Sequence, residues 1–356
     1  MIQPLNILTY KMTDKKLIPS LYGLRAISVL LVIAYHLENS RDQVSYPAFL
    51  KPILNGHLGV NIFFVISGFI ITMLLKKEMD RTADISLSKF YTRRVLRIFP
   101  AYYFLLLVYF FLQVSGLIFL DRTDWFFSLT LLKQFFNPGG ITGHLWTISA
   151  EEIFYIFFPV FFSWLYPKNK KLLNYLLIFI TLAAVPAFRM IINRYVPTYP
   201  FNVFMRGDAL AIGCLLALNY DSVKSIGKSY KSIGLMLILF EISYLTLQPG
   251  ADLHFMQILF GSTGWSLIDN LAIAILLIIS IEQKNSLWYW LLNSKPMIFI
   301  GTISYSMYLW QQIFTSTLDL GKINLLPFNL VFIFIASALS YSLIEKPFLR
   351  LKERFS

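Results

Sequence analysis

The 356 residues are 57% hydrophobic and only 14% charged, with a mean hydropathy of +0.63, which is more apolar surface than one soluble core can bury. A water-soluble globular domain is thereby excluded, and a bilayer is the solvent the chain requires. The net charge of +12 would alone admit a nucleic-acid partner, but the placement of the basic residues follows membrane topology instead.

Taken in order, ten apolar segments approach the ~20 residues needed to cross ~30 Å of hydrocarbon. They lie at 21–37, 58–75, 98–118, 148–166, 172–192, 206–220, 232–248, 264–281, 297–316 and 326–343. Lipid cannot hydrogen-bond an exposed backbone, so each segment is expected to be helical. The expected fold is an all-α polytopic transmembrane helix bundle of about ten spans. The first span holds Arg25 and His36 and lacks a small-residue cleavage site, so it reads as a retained helix. Residues 119–147 are too short an apolar stretch to cross and read as a short outer-face or re-entrant segment, closed by a turn at Asn137-Pro138-Gly139-Gly140.

Basic residues mark alternate loops. Lys11, Lys15 and Lys16 precede the first span, and Lys76, Lys77, Arg81, Lys89, Arg93, Arg94 and Arg97 follow the second. Lys168 to Lys171, Lys224 to Lys231, Lys284 with Lys295, and Lys346 to Arg354 continue the pattern. By the positive-inside rule both termini are cytoplasmic. Cys214, the sole cysteine, admits no intrachain disulfide and reads as a small core residue. No repeat, linker or low-complexity tract divides the chain, so 1–356 is one domain.

Ionisable groups inside spans cost several kcal/mol unless paired or hydrated, so each is a functional candidate with structural pairing as the alternative. Arg25 and His36 are eleven residues apart, which puts them near one helix face and roughly 16 Å apart along the axis. His36 is expected to join Ser149, Glu151, Glu152, Arg189, Arg206, Asp208, Asp269 and Gln311 in the outer halves of their helices. A neutral imidazole there can take a hydroxyl proton; the alternative is a set of structural pairs such as Arg206 with Asp208 or Asp269. Ser149, Glu152 and Tyr155 share one helix face that could orient His36, although Ser149 with acidic neighbours is also a helix-start pattern. Glu151 points about 100° away from Glu152, so the two are not expected to face one site and one of them is expected to be structural. Arg93, Arg94 and Arg97 match phosphate geometry, as a nucleotide-bearing acyl carrier requires, and equally suit topology and anionic lipid. Glu241 sits mid-span with no partner evident. No metal-ligand pattern is read.

Six pieces in order resemble the membrane acyltransferase-3 family, from about Leu21 to Leu349. They are Gly23-Leu24-Arg25-Ala26 with His36 at R-x10-H spacing; Leu58 to Phe69 (LGVNIFFVISGF); Arg94-x-x-Arg97; His144 to Tyr155 (HLWTISAEEIFY); Ser304 to Trp310 (SYSMYLW); and Glu345-Lys346-Pro347-Phe348. The resemblance implies an integral-membrane O-acyltransferase of the bacterial inner (cytoplasmic) membrane, with lipid around it and no nucleic-acid partner. It implies no bound cofactor: acetyl-CoA or another acyl-CoA is the co-substrate, and a cell-surface polysaccharide or lipid-linked glycan is the acceptor. It makes Arg25 and His36 essential, gives Ser149 and Glu152 the S-x-x-E role, and turns Arg94 and Arg97, with Arg93 beside them, towards CoA. Asn61 stands where an acidic residue is frequent, Thr147 where Ser is commoner, and Gln311 where many members carry His. No extracellular esterase-like domain is expected after Ser356. The competing expectation is a transporter or flippase of a polar or lipid-linked solute, since intramembrane charge also marks transport paths.

Overall fold

Local chemistry sets where each helix begins. Pro19, which lacks an N–H that would go unused anyway, opens α1 (Pro19–Glu38). The Asn55 side chain accepts from the His57 amide at 2.9 Å and caps α2 (Gly56–Thr82), which ends at Ala83 in a left-handed conformation (φ 57°). Asp121 accepts from the Asp124 amide at 2.6 Å to start α4 (Arg122–Leu129). The structure is a computed structural model and describes residues 18–38, 40, 44–47, 50, 54–135, 139–195, 203–229, 231–246, 267–318 and 321–355. Lys11, Lys15, Lys16, Asn137, Pro138 and the Glu241 side chain lie outside the described residues.

Among the described residues every regular element is helical. After α3 (Leu87–Val114) and α4 come a 3-10 turn at Gly140–Leu145, α5 (Trp146–Leu165), α6 (Lys170–Phe179) and α7 (Val185–Tyr195). Then follow α8 (Val203–Leu218), α9 (Tyr220–Lys228), α10 (Lys231–Thr246), α11 (Leu267–Glu282) and α12 (Leu287–Leu292). The last are α13 (Lys295–Thr302), α14 (Ser304–Thr315), α15 (Phe328–Ser340) and α16 (Lys346–Lys352).

Among the described residues, six helical stretches are long and apolar enough to cross a membrane: Pro19–Glu38, Gly56–Thr82, Leu87–Val114, Gly140–Leu165, Lys170–Arg189 and Phe328–Phe355. A seventh is added if Arg206–Leu218 and Tyr220–Lys228, bent by 94°, are one span. Among the described residues the chain is thus all-helical and multi-pass, with six or seven such helices where the sequence pattern gives ten segments. Of the other three segments, α10 is described to Thr246 and α11 from Leu267, and the helix over 297–316 breaks at Ile303. Between α3 and Gly140 the described residues hold no helix long enough to cross: α4 has eight residues, about 12 Å.

Close backbone approach holds the centre. α2 packs most extensively on α8, then on α1. A Cβ on Gly68 would meet the Leu210 carbonyl and one on Gly213 the Val65 carbonyl, so only glycine lets these helices touch. Cys214 lies buried in the same seam, its Sγ 3.7 Å from the Gly68 carbonyl, in the core role expected of it.

Arg206 lies within electrostatic reach of both Asp208 and Asp269, the partners offered as its structural alternative, but the ion pair of Asp208 is made elsewhere. Arg206 and Asp208 are two residues apart on α8 and so point to opposite sides. Asp208 instead receives Arg189 Nη2 at 2.9 Å on both carboxylate oxygens, with both side chains buried. Removing one partner leaves an uncompensated buried charge, so Arg189→Ala is expected to cost about 3–5 kcal/mol. A thermal-unfolding scan of the detergent-solubilised protein reads this as a markedly lowered midpoint.

Candidate active site

Two polar levels lie along α1, one around His36 and one around Arg25. At the histidine level, His36 Nδ1 is 2.8 Å from the Val32 carbonyl of its own helix. A carbonyl can only accept, so Nδ1 carries the proton and Nε2 keeps its lone pair. No other hydrogen bond reaches this half-buried ring among the described residues, and Nε2 is placed to accept a proton.

Two further histidines lie within electrostatic reach of His36. His57, on the first turn of α2, accepts at Nδ1 from Arg206 Nη2 at 3.2 Å. Arg206 also donates to Asn61 Oδ1 and lies over the Trp146 ring at 5.3 Å. Tyr35 bridges the group, its ring 5.5 Å from both His36 and His57. His144 is held more tightly: its Nε2 lies 3.1 Å from the Leu309 carbonyl, and its own carbonyl accepts from Tyr308 Oη at 2.9 Å. Thr147 Oγ1 donates to the same Tyr308 oxygen at 2.6 Å.

The arginine level is built on Glu151. Ser67 Oγ donates to Glu151 Oε1 at 2.7 Å and Tyr155 Oη to Oε2 at 3.3 Å. The Arg94 guanidinium lies between the Phe90 ring at 5.4 Å and the Tyr155 ring at 5.1 Å. Arg25 interacts electrostatically with Arg97 and Glu151, and Arg94 with Arg97, Glu152 and Glu151. Glu152 is buried, and its Oε1 has no partner in the protein. Glu345 accepts from Ser306 Oγ and is within reach of Arg97 and Arg25.

Glu151 and Glu152 were expected beside His36, and the structure sets them with Arg25 instead. Their neighbour Ser67 is ten residues along α2 from His57, about 15 Å, which matches the separation of Arg25 from His36. The cause is the 3-10 turn Gly140–Leu145, which carries the chain inward before α5 begins, so His144 and Thr147 reach the histidine level. No hydrogen bond joins Glu152 to His36. It is Glu151 that organises Ser67 and Tyr155.

Ser149 is buried with its hydroxyl committed to backbone: it donates to the Leu131 carbonyl and accepts from the Gln134 amide at 3.3 Å. It anchors the loop after α4 to α5 rather than facing His36. Ser149→Ala is therefore expected to lower activity less than tenfold while loosening that loop, read by hydrogen exchange at residues 131–134. Arg93 is likewise engaged, donating to Glu78 Oε2 at 3.3 Å and to the Phe355 carbonyl at 2.9 Å. Gln311 is buried and bonded within its own helix, to Gln312 at 3.3 Å and Thr315 at 3.1 Å. His57 and Asn61 were not singled out as a pair, although their i, i+4 spacing on α2 was a usable signal.

A family model described as an acyltransferase domain matches residues 18–344. The chain is 30% identical to O-acetyltransferase OatA of Staphylococcus aureus (strain NCTC 8325 / PS 47) over 327 residues, covering 84% of this chain and 51% of that protein. The OatA of Staphylococcus aureus (strain MRSA252) gives the same identity and coverage. The chain spans about half the length of these curated relatives. No solved structure matches.

Proposed function

The chain belongs to the acyltransferase-domain family, and from that premise we propose that it is a bacterial inner-membrane O-acetyltransferase. Acetyl-CoA, or another acyl-CoA, donates from the cytoplasmic side, and a hydroxyl of a cell-surface or lipid-linked polysaccharide accepts. The observation that carries this reading is the 2.8 Å contact of His36 Nδ1 with the Val32 carbonyl, which leaves Nε2 open on the same helix as Arg25, itself in electrostatic reach of Arg97 on α3.

Each level supplies what one substrate needs. Arg94 and Arg97 offer guanidinium forks to the donor's phosphates, and a long, flexible acyl-bearing arm spans the roughly 16 Å to His36. There Nε2 takes the proton of the acceptor hydroxyl as its oxygen attacks the thioester carbonyl. The carbon–sulfur bond breaks, the acetyl group passes to oxygen, and the thiolate leaves as free CoA after recovering the proton from the imidazolium. Arg206, held by Asn61 and stacked on Trp146, keeps His57 oriented beside the reacting groups.

Mass spectrometry of surface glycans tests this directly. Cells expressing the chain are expected to carry O-acetylated glycan that cells expressing His36→Ala lack. Unchanged glycans, together with solute movement that consumes no acyl donor, would support a transporter instead.

A further inference from the structure

The arginine level holds more hydrogen-bond donors than the protein satisfies. Arg25, Arg94 and Arg97 each bring five N–H groups, yet among the described residues none makes a hydrogen bond or an ion pair. Arg25 Nε is buried without a partner, and Arg94 has only two aromatic faces. Of the three nearby carboxylates, Glu151 is held by Ser67 and Tyr155 and Glu345 by Ser306, while Glu152 is in electrostatic reach of Arg94 without hydrogen-bonding it.

A fourth cation reaches the same place from the far end of the chain. The Arg93 bond to the Phe355 carbonyl clamps the C-terminal turn onto α3, and α16 packs along α3. Lys352, the last residue of α16, thereby comes within electrostatic reach of Arg97, Arg94 and Arg93. Its chain neighbour Glu353 offers opposite charge, but no ion pair forms on Lys352 among the described residues. Four cations gathered with unsatisfied N–H donors, although carboxylates stand nearby, cost free energy that an anion rich in acceptor oxygens recovers.

We propose, resting on the reading of acyl-CoA as donor, that α16 forms a wall of the donor site. In this arrangement Lys352 completes, with Arg25, Arg94 and Arg97, a four-cation cradle for the donor's diphosphate. Arg25 thus binds the phosphate end of the donor, while His36 on the same helix serves the acyl end. Arg93 contributes indirectly by holding α16 in place.

The test uses Lys352→Met, which keeps the aliphatic stem, and Lys352→Arg, which keeps the charge, each in the full chain in phosphatidylcholine nanodiscs. Losing one charge-assisted contact of about 1.5–3 kcal/mol weakens binding roughly ten- to hundredfold. K352M is expected to lose CoA affinity by that factor and K352R to recover most of it. The KM for acetyl-pantetheine, which carries no phosphate, stays unchanged in both. Equal CoA affinity in K352M and the parent would overturn the proposal, as would an equal loss on acetyl-pantetheine. If the cradle holds a lipid headgroup phosphate instead, K352M loses copurifying phosphatidylglycerol while CoA affinity holds, which also overturns it. Failure of the parent protein to bind CoA sinks the donor reading itself, whereas parental binding with an indifferent K352M sinks only the role of α16.

Discussion

His36→Ala is expected to lower acetyl transfer by about 10²–10⁴-fold, the usual contribution of a positioned general base. The loss falls on turnover, because the ring is roughly 16 Å from the arginine cluster and binds no part of the donor's phosphate end. CoA affinity measured in the same preparation is therefore expected to match the parent. Val32 supplies the orienting contact through its carbonyl, which no side-chain substitution removes. Tautomer control thus comes from the backbone of α1 and needs no carboxylate partner. Glu152→Gln is accordingly expected to act through the arginine level.

Arg94→Ala and Arg97→Ala are expected to produce the opposite signature. Each removes a fork with no competing protein partner, so the KM for acetyl-CoA rises roughly ten- to hundredfold while turnover at saturation changes little. Arg94→Ala carries a second effect, because its guanidinium fills the space between Phe90 and Tyr155. Loss of that packing loosens Tyr155 and through it Glu151. Steady-state kinetics over a wide range of donor concentration separate these variants from His36→Ala.

Much of the architecture was legible in the residues. The apolar runs place the long helices, and the short apolar content of 119–147 excludes a crossing there. Spacing alone separates Arg25 from His36 along one helix, and the two remain the poles of the site. What periodicity did not carry was depth. Ser149, Glu151 and Glu152 stand near the start of a helix, and a helix start reads as a membrane edge. The 3-10 turn over Gly140–Leu145 moves that start inward, and 3-10 turns leave no hydrophobic signature of their own. Pairing across helices was equally hidden. The two-residue spacing of Arg206 and Asp208 forbids their contact, but nothing in the sequence says that Arg189 is the partner. The span count differs for a related reason: apolarity over 297–316 is continuous, whereas the backbone breaks at Ile303.

The most direct measurement supplies labelled acetyl-CoA to oriented proteoliposomes, first on the side bearing the arginine level and then on the opposite side, with a glycan acceptor on the histidine side. Label is expected to reach the glycan only when the donor is given on the arginine side, and to fail with His36→Ala. Transfer that requires the donor on the histidine side, or that proceeds equally without the imidazole, would contradict a donor bound at the arginines and an acetyl group delivered at His36.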